Sequence, residues 1–261
     1  MIAASRTASP SSNEVREDDA RHIAKLLVRI AKWTERNATQ EFKDFKRKQL
    51  ANTLADERER NIFEIPKEFI FKENVEKEHN AIMSFYDLNQ SANTLAQCEY
   101  YFRRFPFKGM PVLHHEHLRN ICELYFSMFY VIKNRLESVL NAFNAACPTC
   151  SLNVGAFIKK YNKEFDQEIR ERNSVHHTRP FEDRAIDKIM LTKLMSTTDD
   201  FKGKGWDREH ISAYRKLSNE WAERVKRRNT HMLRYIDAVA KAILNHAPFL
   251  NSDENHDCPS A

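Results

Sequence analysis

The chain has 261 residues, with 42 Lys and Arg against 37 Asp and Glu, a net charge of +5 and only 4 glycines. Average usage would supply about 18 glycines in this length, and strand-rich or dinucleotide-binding folds need glycine in their turns and phosphate loops. The glycines at positions 109, 155, 203 and 205 cannot form a G-x-x-x-x-G-K-[ST] or a G-x-G-x-x-G motif. The composition therefore excludes P-loop ATPases and Rossmann dehydrogenases.

The two ends of the chain differ in composition from the rest. Residues 1–13 are rich in Ser, Ala and Thr, and residues 251–261 carry three acids and no basic residue, which predicts disordered tails. The longest apolar stretch, from Leu124 to Ile132, has 9 residues, far fewer than the roughly 20 that span a bilayer. Because the first residues are also polar, we expect no signal peptide, no membrane span and a cytoplasmic protein.

Between the tails, apolar residues recur at spacings of three and four, which predicts helices. The first stripe consists of Ile23, Leu26, Leu27, Ile30 and Trp33. A highly charged stretch from about Glu41 to Asn61 predicts a second helix with a narrow apolar face made by Phe42, Phe45 and Leu50. A long third helix is marked by Ile82, Phe85, Tyr86, Leu95, Glu99 and Phe102. We expect it to end at Arg103-Arg104, before the two prolines of the next segment.

The strongest pattern lies in the middle of the chain and predicts a central core helix. It consists of Ile121, Leu124, Tyr125, Met128, Ile132, Leu136, Val139, Leu140 and Phe143. The next helix is predicted to start near Asn153, a plausible N-cap, with a stripe of Val154, Phe157, Ile158, Tyr161, Phe165 and Ile169. A last long helix runs from about Asp207 to Ile243, with an apolar stripe that begins at Ile211, Tyr214 and Leu217. No segment alternates at period two, so we predict an all-α bundle of long up-and-down helices.

We divide this bundle into an N-terminal helical extension, residues 14–112, and a helical bundle, residues 113–250. The second part contains the central helix and the most unusual segment of the chain, Arg172-Asn173-Ser174-Val175-His176-His177. At 100° per residue, Arg172 falls on the apolar stripe, about 20° from Tyr161. An arginine on such a face must be paired or must line a cleft or an interface. Since Pro180 disfavours helix at Arg179, we expect the last turn to be unwound.

This segment resembles the signature of the HEPN superfamily, an Arg followed by Asn, Asp or His, with a His a few residues further on. Arg172, Asn173 and His177 fit the spacing with four intervening residues. The resemblance covers the motif and its setting, a long helix followed by a short connection and the motif helix in an all-helical chain. It does not extend to the residues before Phe102.

The resemblance implies a metal-independent endoribonuclease that needs no cofactor, often a toxin or a phage-defence effector, acting as a homodimer with its two motif helices face to face. The RNA 2′-OH would attack the phosphate and leave a 2′,3′-cyclic phosphate. Arg172 would hold the phosphate, His177 would move protons and Asn173 would orient either group. His176 stands beside His177 and is the other candidate for the working histidine. An antitoxin or regulator protein is a further expected partner.

Basic residues in the last helix add a candidate RNA-binding surface. Arg224, Lys226, Arg227 and Arg228 are clustered there, and Arg179 follows the motif. The alternative for such a cluster is a solvated helix face.

Two other interpretations stay open at this point. In the first, the protein is a non-catalytic helical interaction or RNA-binding module, in which Arg172 pairs with a carboxylate such as Glu168 or Glu123, and the two histidines only end a helix. In the second, Cys147 and Cys150 bind zinc together with histidines among His114, His115 and His117. A helix connection that happens to hold two cysteines is the favoured interpretation of that pair, because a single C-x-x-C is weak support for zinc.

Overall fold

The structure is a computed structural model that describes residues 20–55, 68–107, 111–149, 151–177 and 181–251. The side chains of residues 174–177 lie outside this description, although their backbone is included. Several predictions concern residues outside these ranges: the tail 1–13, nearly all of the tail 251–261, Cys150 and Arg179. The predicted roles of the His176 and His177 side chains also lie outside the described part of the structure.

Helices connected by short segments make up the described residues, which contain no strand. The prediction of an all-α fold is therefore confirmed. The helices are α1 (Arg21–Asn37), α2 (Gln40–Leu54), α3 (Glu73–Arg103), α4 (His114–Ala146), α5 (Val154–Glu164), α6 (Asp166–His177), α7 (Arg184–Thr197) and α8 (Trp206–His246). Single 3₁₀ turns follow α7, at Asp199–Phe201, and α8, at Pro248–Leu250.

Three long helices, α3, α4 and α8, build the core. α3 packs along α4 and α8, while α1 and α7 cover other parts of α8. At the centre, the rings of Phe102 and Trp221 stack with centroids 5.4 Å apart and planes 11° from parallel. Tyr125 and Phe126 of α4 meet the same indole edge-on, each 5.9 Å away. Such aromatic contacts add to the free energy gained by burying the rings.

One hydrophobic cluster runs through both halves of the predicted division. Ile30 and Trp33 of α1 and Phe85 of α3 belong to the same buried cluster as Phe129 of α4 and Ile236 of α8. The described parts of segments 14–112 and 113–250 thus bury their apolar faces in a common core.

The helix that carries the motif differs from the prediction. Asn153 caps α5, since its side chain accepts a hydrogen bond from the Ala156 N–H at 2.9 Å, as predicted. The prediction of a single helix from Asn153 through the motif is wrong, because α5 ends before Phe165 and a separate helix, α6, begins after it. Arg228 of α8 donates to the Glu164 carbonyl at 2.9 Å and satisfies an acceptor at the break. Unwinding of the last turn is also wrong, since α6 is helical through His177.

Two further differences concern helices on the surface. α7 was not predicted; Asp183 caps it by accepting from the Ala185 N–H at 2.7 Å, and Ile186 and Ile189 are buried. Leu124 and Ile211, predicted in core stripes, are 38% and 37% exposed. Both lie at the edge of a stripe, where a helix face meets solvent.

Candidate functional site

The motif helix α6 lies mainly against α4 and α5. Phe165, fully buried at the junction of α5 and α6, places its ring 5.4 Å from that of Phe129 on α4. The Tyr161 hydroxyl, one turn before, donates to the Phe129 carbonyl at 2.8 Å in the buried interior. These two aromatic residues fix the point from which α6 starts and therefore the position of the motif.

Arg172 lies on α6 with its guanidinium over an aromatic ring. The guanidinium carbon is 4.1 Å from the centroid of the Tyr130 ring on α4, close enough for a cation–π interaction. Nη1 donates to Oδ1 of Asn173 at 3.2 Å, and Nε is buried without a hydrogen-bond partner. Among the described residues, no carboxylate forms an ion pair with Arg172. Pairing with Glu168 or Glu123, the alternative predicted from the sequence, is therefore not what the structure shows.

The other motif residues are placed by the backbone of α6. Asn173 is exposed and touches Arg172. Positions 176 and 177 form the last two residues of the helix. In a continuous helix, position 176 lies about 40° around the axis from position 172, and position 177 about 140°. The structure thus places both histidine positions one turn or slightly more beyond Arg172.

Glu168, one turn before Arg172, is the most buried charged residue of this region. Its side chain is only 2% exposed and accepts a hydrogen bond from Nη2 of Arg228 at 2.6 Å. Nη2 of Arg224 lies 3.9 Å from its other carboxylate oxygen, and the Tyr125 hydroxyl is 3.4 Å away. Because a buried carboxylate is costly without partners, this network explains why Glu168 is not available to Arg172.

A cleft with a volume of about 520 Å³ opens beside this network, between the α5–α6 junction and α8. It is lined by Lys163, Glu164, Asp166, Gln167, Glu168, Arg224, Arg227 and Arg228. The four cations and three carboxylates leave a net charge of +1 (4 − 3) on the lining. Glu168 offsets much of the charge of Arg224 and Arg228, so Lys163 and Arg227 are the exposed cations among the described residues of this cleft.

The basic cluster predicted in the last helix is therefore divided by the structure. Arg224 and Arg228 are half-buried and turn towards Glu168. Lys226 is exposed and is not part of the cleft lining, whereas Arg227 is exposed and belongs to it. Sequence reasoning missed Tyr130 and Lys163. The spacing of Arg224 and Arg228 by four residues was the available signal that these two arginines share one helix face.

The zinc interpretation fails on distance. His114, His115 and His117 lie in the first turn of α4, whereas Cys147 follows its last residue. At 1.5 Å per residue, the two ends are about 45–50 Å apart, so these side chains cannot share a metal ion. In the part of the chain that the structure describes, no three His, Cys, Asp or Glu side chains are grouped as metal ligands.

None of the described helices combines the length and the apolar character needed to cross a bilayer. Comparisons of the chain with family models, with curated proteins and with solved structures found no match.

Proposed function

We propose that this protein is a metal-independent endoribonuclease of the HEPN type. The observation that carries the proposal is Arg172: its guanidinium rests on Tyr130 and has no carboxylate partner among the described residues. A positive charge held in place and left without a counter-ion is suited to an anionic ligand such as a phosphate. The same short helix carries Asn173 and the two histidines.

Cleavage of this kind needs few groups from the protein, because RNA carries its own nucleophile, the 2′-OH. Attack of the 2′-oxygen on the adjacent phosphorus forms a 2′,3′-cyclic phosphate and releases the 5′-oxygen of the next nucleotide. A histidine at position 177 or 176 would take the proton from the 2′-OH or supply one to the leaving oxygen, as an imidazole can near neutral pH. Arg172 would hold the phosphate and stabilise its additional charge in the transition state.

The resemblance of the Arg172 segment to the HEPN signature also implies where the enzyme would act and with which partners. The enzyme would act as a homodimer in the cytoplasm, as a toxin or phage-defence effector, with RNA as substrate and with an antitoxin or regulator protein as partner. Lys163 and Arg227, the exposed cations of the cleft beside α6, are the described residues best placed to contact RNA backbone phosphates. Arg179 and Lys226 stay candidates for the same role.

The experiment is an RNA cleavage assay in EDTA with purified wild type and with Arg172→Ala, His176→Ala and His177→Ala. Arg170→Ala is the matched control, since Arg170 is on the same helix but is 78% exposed and pairs with Asp166. We expect cleavage by the wild type and the control, and a loss of roughly 100-fold or more for Arg172→Ala and for one histidine variant. Equal cleavage by all variants would show that the nuclease activity lies elsewhere.

A second candidate is a non-catalytic RNA-binding module, which the cleft favours. Arg227 lines the cleft at α6 and a second one at the start of α7, of about 370 Å³, so it is positioned to contact a ligand that crosses α8. Under this alternative, a labelled RNA would bind with an affinity that falls steeply with salt, Arg227→Ala would weaken binding, and no RNA would be cut. Fluorescence anisotropy and gel analysis of the same samples separate the two candidates.

A further inference from the structure

Another pocket lies far along the chain from the motif, among α1, α2, the segment before α3, and α3 itself. Its volume is about 200 Å³, and each of its lining residues precedes α4. The walls are mainly aromatic and apolar, with Trp33, Phe42, Phe71, Ile82, Met83 and Tyr86 among them. It is independent of the proposed nuclease site because it shares no residue with α6 or its cleft.

The aromatic rings of this pocket are held in fixed positions. Trp33 is 2% exposed, and its indole N–H donates to Glu78 at 2.6 Å, which sets the plane of the ring. The His79 ring lies 26° from parallel to that indole, with centroids 6.4 Å apart. Phe71 contacts both His79, at 4.8 Å, and Phe42, at 5.0 Å. A flat aromatic ring entering the pocket would thus meet preformed ring surfaces.

Two side chains that line the pocket, Lys46 and His79, can bind a polar or charged group of a ligand. Lys46 Nζ lies 5.6 Å from the centroid of Phe42 and donates to Gln49, with no carboxylate partner among the described residues. Among the described residues, none that lines the pocket is an Asp or a Glu. Burial and the nearby Lys46 lower the pKa of His79, although Glu76 acts in the opposite direction, which favours the neutral imidazole. It can then both donate and accept a hydrogen bond, and Lys46 supplies the charge.

We propose that this pocket binds a small planar aromatic anion, one or two fused rings that carry a carboxylate or a phosphate. The ring of the ligand would stack on the aromatic walls, and Lys46 would pair with its anionic group. His79 would form a hydrogen bond with a polar atom on the edge of that ring. The volume of about 200 Å³ limits the buried part to a single ring system. The charge of Lys46, with no Asp or Glu among the described lining residues, favours an anion over a neutral or cationic ring.

Isothermal titration calorimetry on the full chain tests this with two probes, indole-3-acetate for a carboxylate and adenosine 5′-monophosphate for a phosphate. Indole and adenosine serve as their uncharged counterparts. We expect saturable binding of at least one anion and an affinity at least ten-fold lower for its uncharged counterpart. Lys46→Ala should reduce the affinity for the anion by roughly ten-fold or more. Lys48→Ala, on the same helix and exposed, is the matched control and should bind as the wild type does.

Met83→Trp is a second variant, because Met83 is 45% exposed at the pocket and a larger side chain there fills the space without entering the core. It should abolish binding of the anion. Binding by one probe alone identifies the anionic group as carboxylate or phosphate. No saturable binding of either anion at millimolar concentration, or binding that Lys46→Ala and Met83→Trp leave unchanged, would overturn the proposal.

Discussion

The buried Glu168 of α6 and the half-buried Arg228 of α8 form an ion pair, with the carboxylate 2.6 Å from Nη2 of the guanidinium. Arg228 also donates from Nη2 to the Glu164 carbonyl at 2.9 Å, at the break between α5 and α6. One arginine thus links the longest helix both to the start of the motif helix and to the residue one turn before Arg172. This pair fixes α6 against α8, while Phe165 and Tyr161 fix its start against α4.

The first prediction concerns the stability that this pair gives. Glu168→Gln keeps the size of the side chain but removes its charge, so Arg228 and Arg224 lose their buried counter-ion. We expect the free energy of unfolding to fall by about 2 kcal/mol, less than for a fully buried pair, because the side chains of Arg228 and Arg224 are 25% and 29% exposed. Urea unfolding followed by circular dichroism measures the change.

Asp166→Asn is the control for this prediction. Asp166 lies on the same helix, is 53% exposed and pairs with the exposed Arg170 at 2.9 Å. Exposed pairs contribute at most about 1 kcal/mol, so the control should differ little from the wild type. Equal losses of stability in the two variants would contradict a special role for the Glu168–Arg228 pair.

The second prediction concerns Tyr130, whose ring carries the Arg172 guanidinium. Tyr130→Leu removes the ring at a position that is 40% exposed. The free energy of unfolding should therefore fall by only about 0.5–1 kcal/mol. Under the proposed function, the loss of RNA cleavage should be larger, roughly ten-fold, because Arg172 is no longer held in place. Tyr130→Phe keeps the ring and should retain activity. If Tyr130→Leu cleaves RNA as the wild type does, the ring does not position Arg172.

The third prediction concerns how the free energy of unfolding changes with pH. It rests on a pair of histidines, one at the start of α4 and one in the first turns of α8. His210 Nδ1 donates to the Ile189 carbonyl at 3.1 Å, so its Nε2, 3.1 Å from His114 Nδ1, accepts from that ring. The His114 ring lies between Phe105, at 4.1 Å, and Tyr214, at 4.3 Å. Burial, His210 and Lys193 lower the pKa of His114 to about 4, and burial also lowers the pKa of His210.

The sign of the effect follows from proton binding. Between pH 6.5 and about 4, the unfolded chain protonates histidines that the folded chain keeps neutral, so acidification through this range lowers the free energy of unfolding. Above pH 6.5 this contribution is fully present. His114→Phe keeps a stacked ring and removes the titrating group, so the slope of stability against pH should become smaller. His246→Gln, an exposed site on α8, is the control. An unchanged slope in His114→Phe would contradict the prediction.

How far the sequence predicts this fold depends on the strength of the periodic patterns. The stripe from Ile121 to Phe143 predicted α4, and Asn153 marked the start of α5, because both are local signals that tertiary packing reinforces. The break at Phe165 could not be predicted from the stripe, which continues through it. A partner from far away in the sequence accompanies it, since the guanidinium of Arg228 donates to the carbonyl of Glu164, 64 residues before it. α7 was missed because its buried face is narrow, with Met190 and Leu194 exposed.

The same reason limits what the sequence predicts about the site. The Arg172 motif was visible because it is a contiguous segment. Pairing of Glu168 with Arg228 instead of Arg172 depends on how α6 meets α8, which no local spacing encodes. Tyr130 was counted in an apolar stretch of α4, and only the packing of α6 on α4 brings it under Arg172.

The proposed function is that Arg172 and a histidine at the end of α6 cleave RNA without a metal ion. Its most direct test is end-group analysis of total RNA incubated in EDTA with the wild type and with an Arg172→Ala/His177→Ala double variant of unchanged circular dichroism. We predict 2′,3′-cyclic phosphates and 5′-hydroxyls from the wild type and intact RNA from the double variant. Intact RNA in both samples, or identical cleaved ends in both, would contradict the claim.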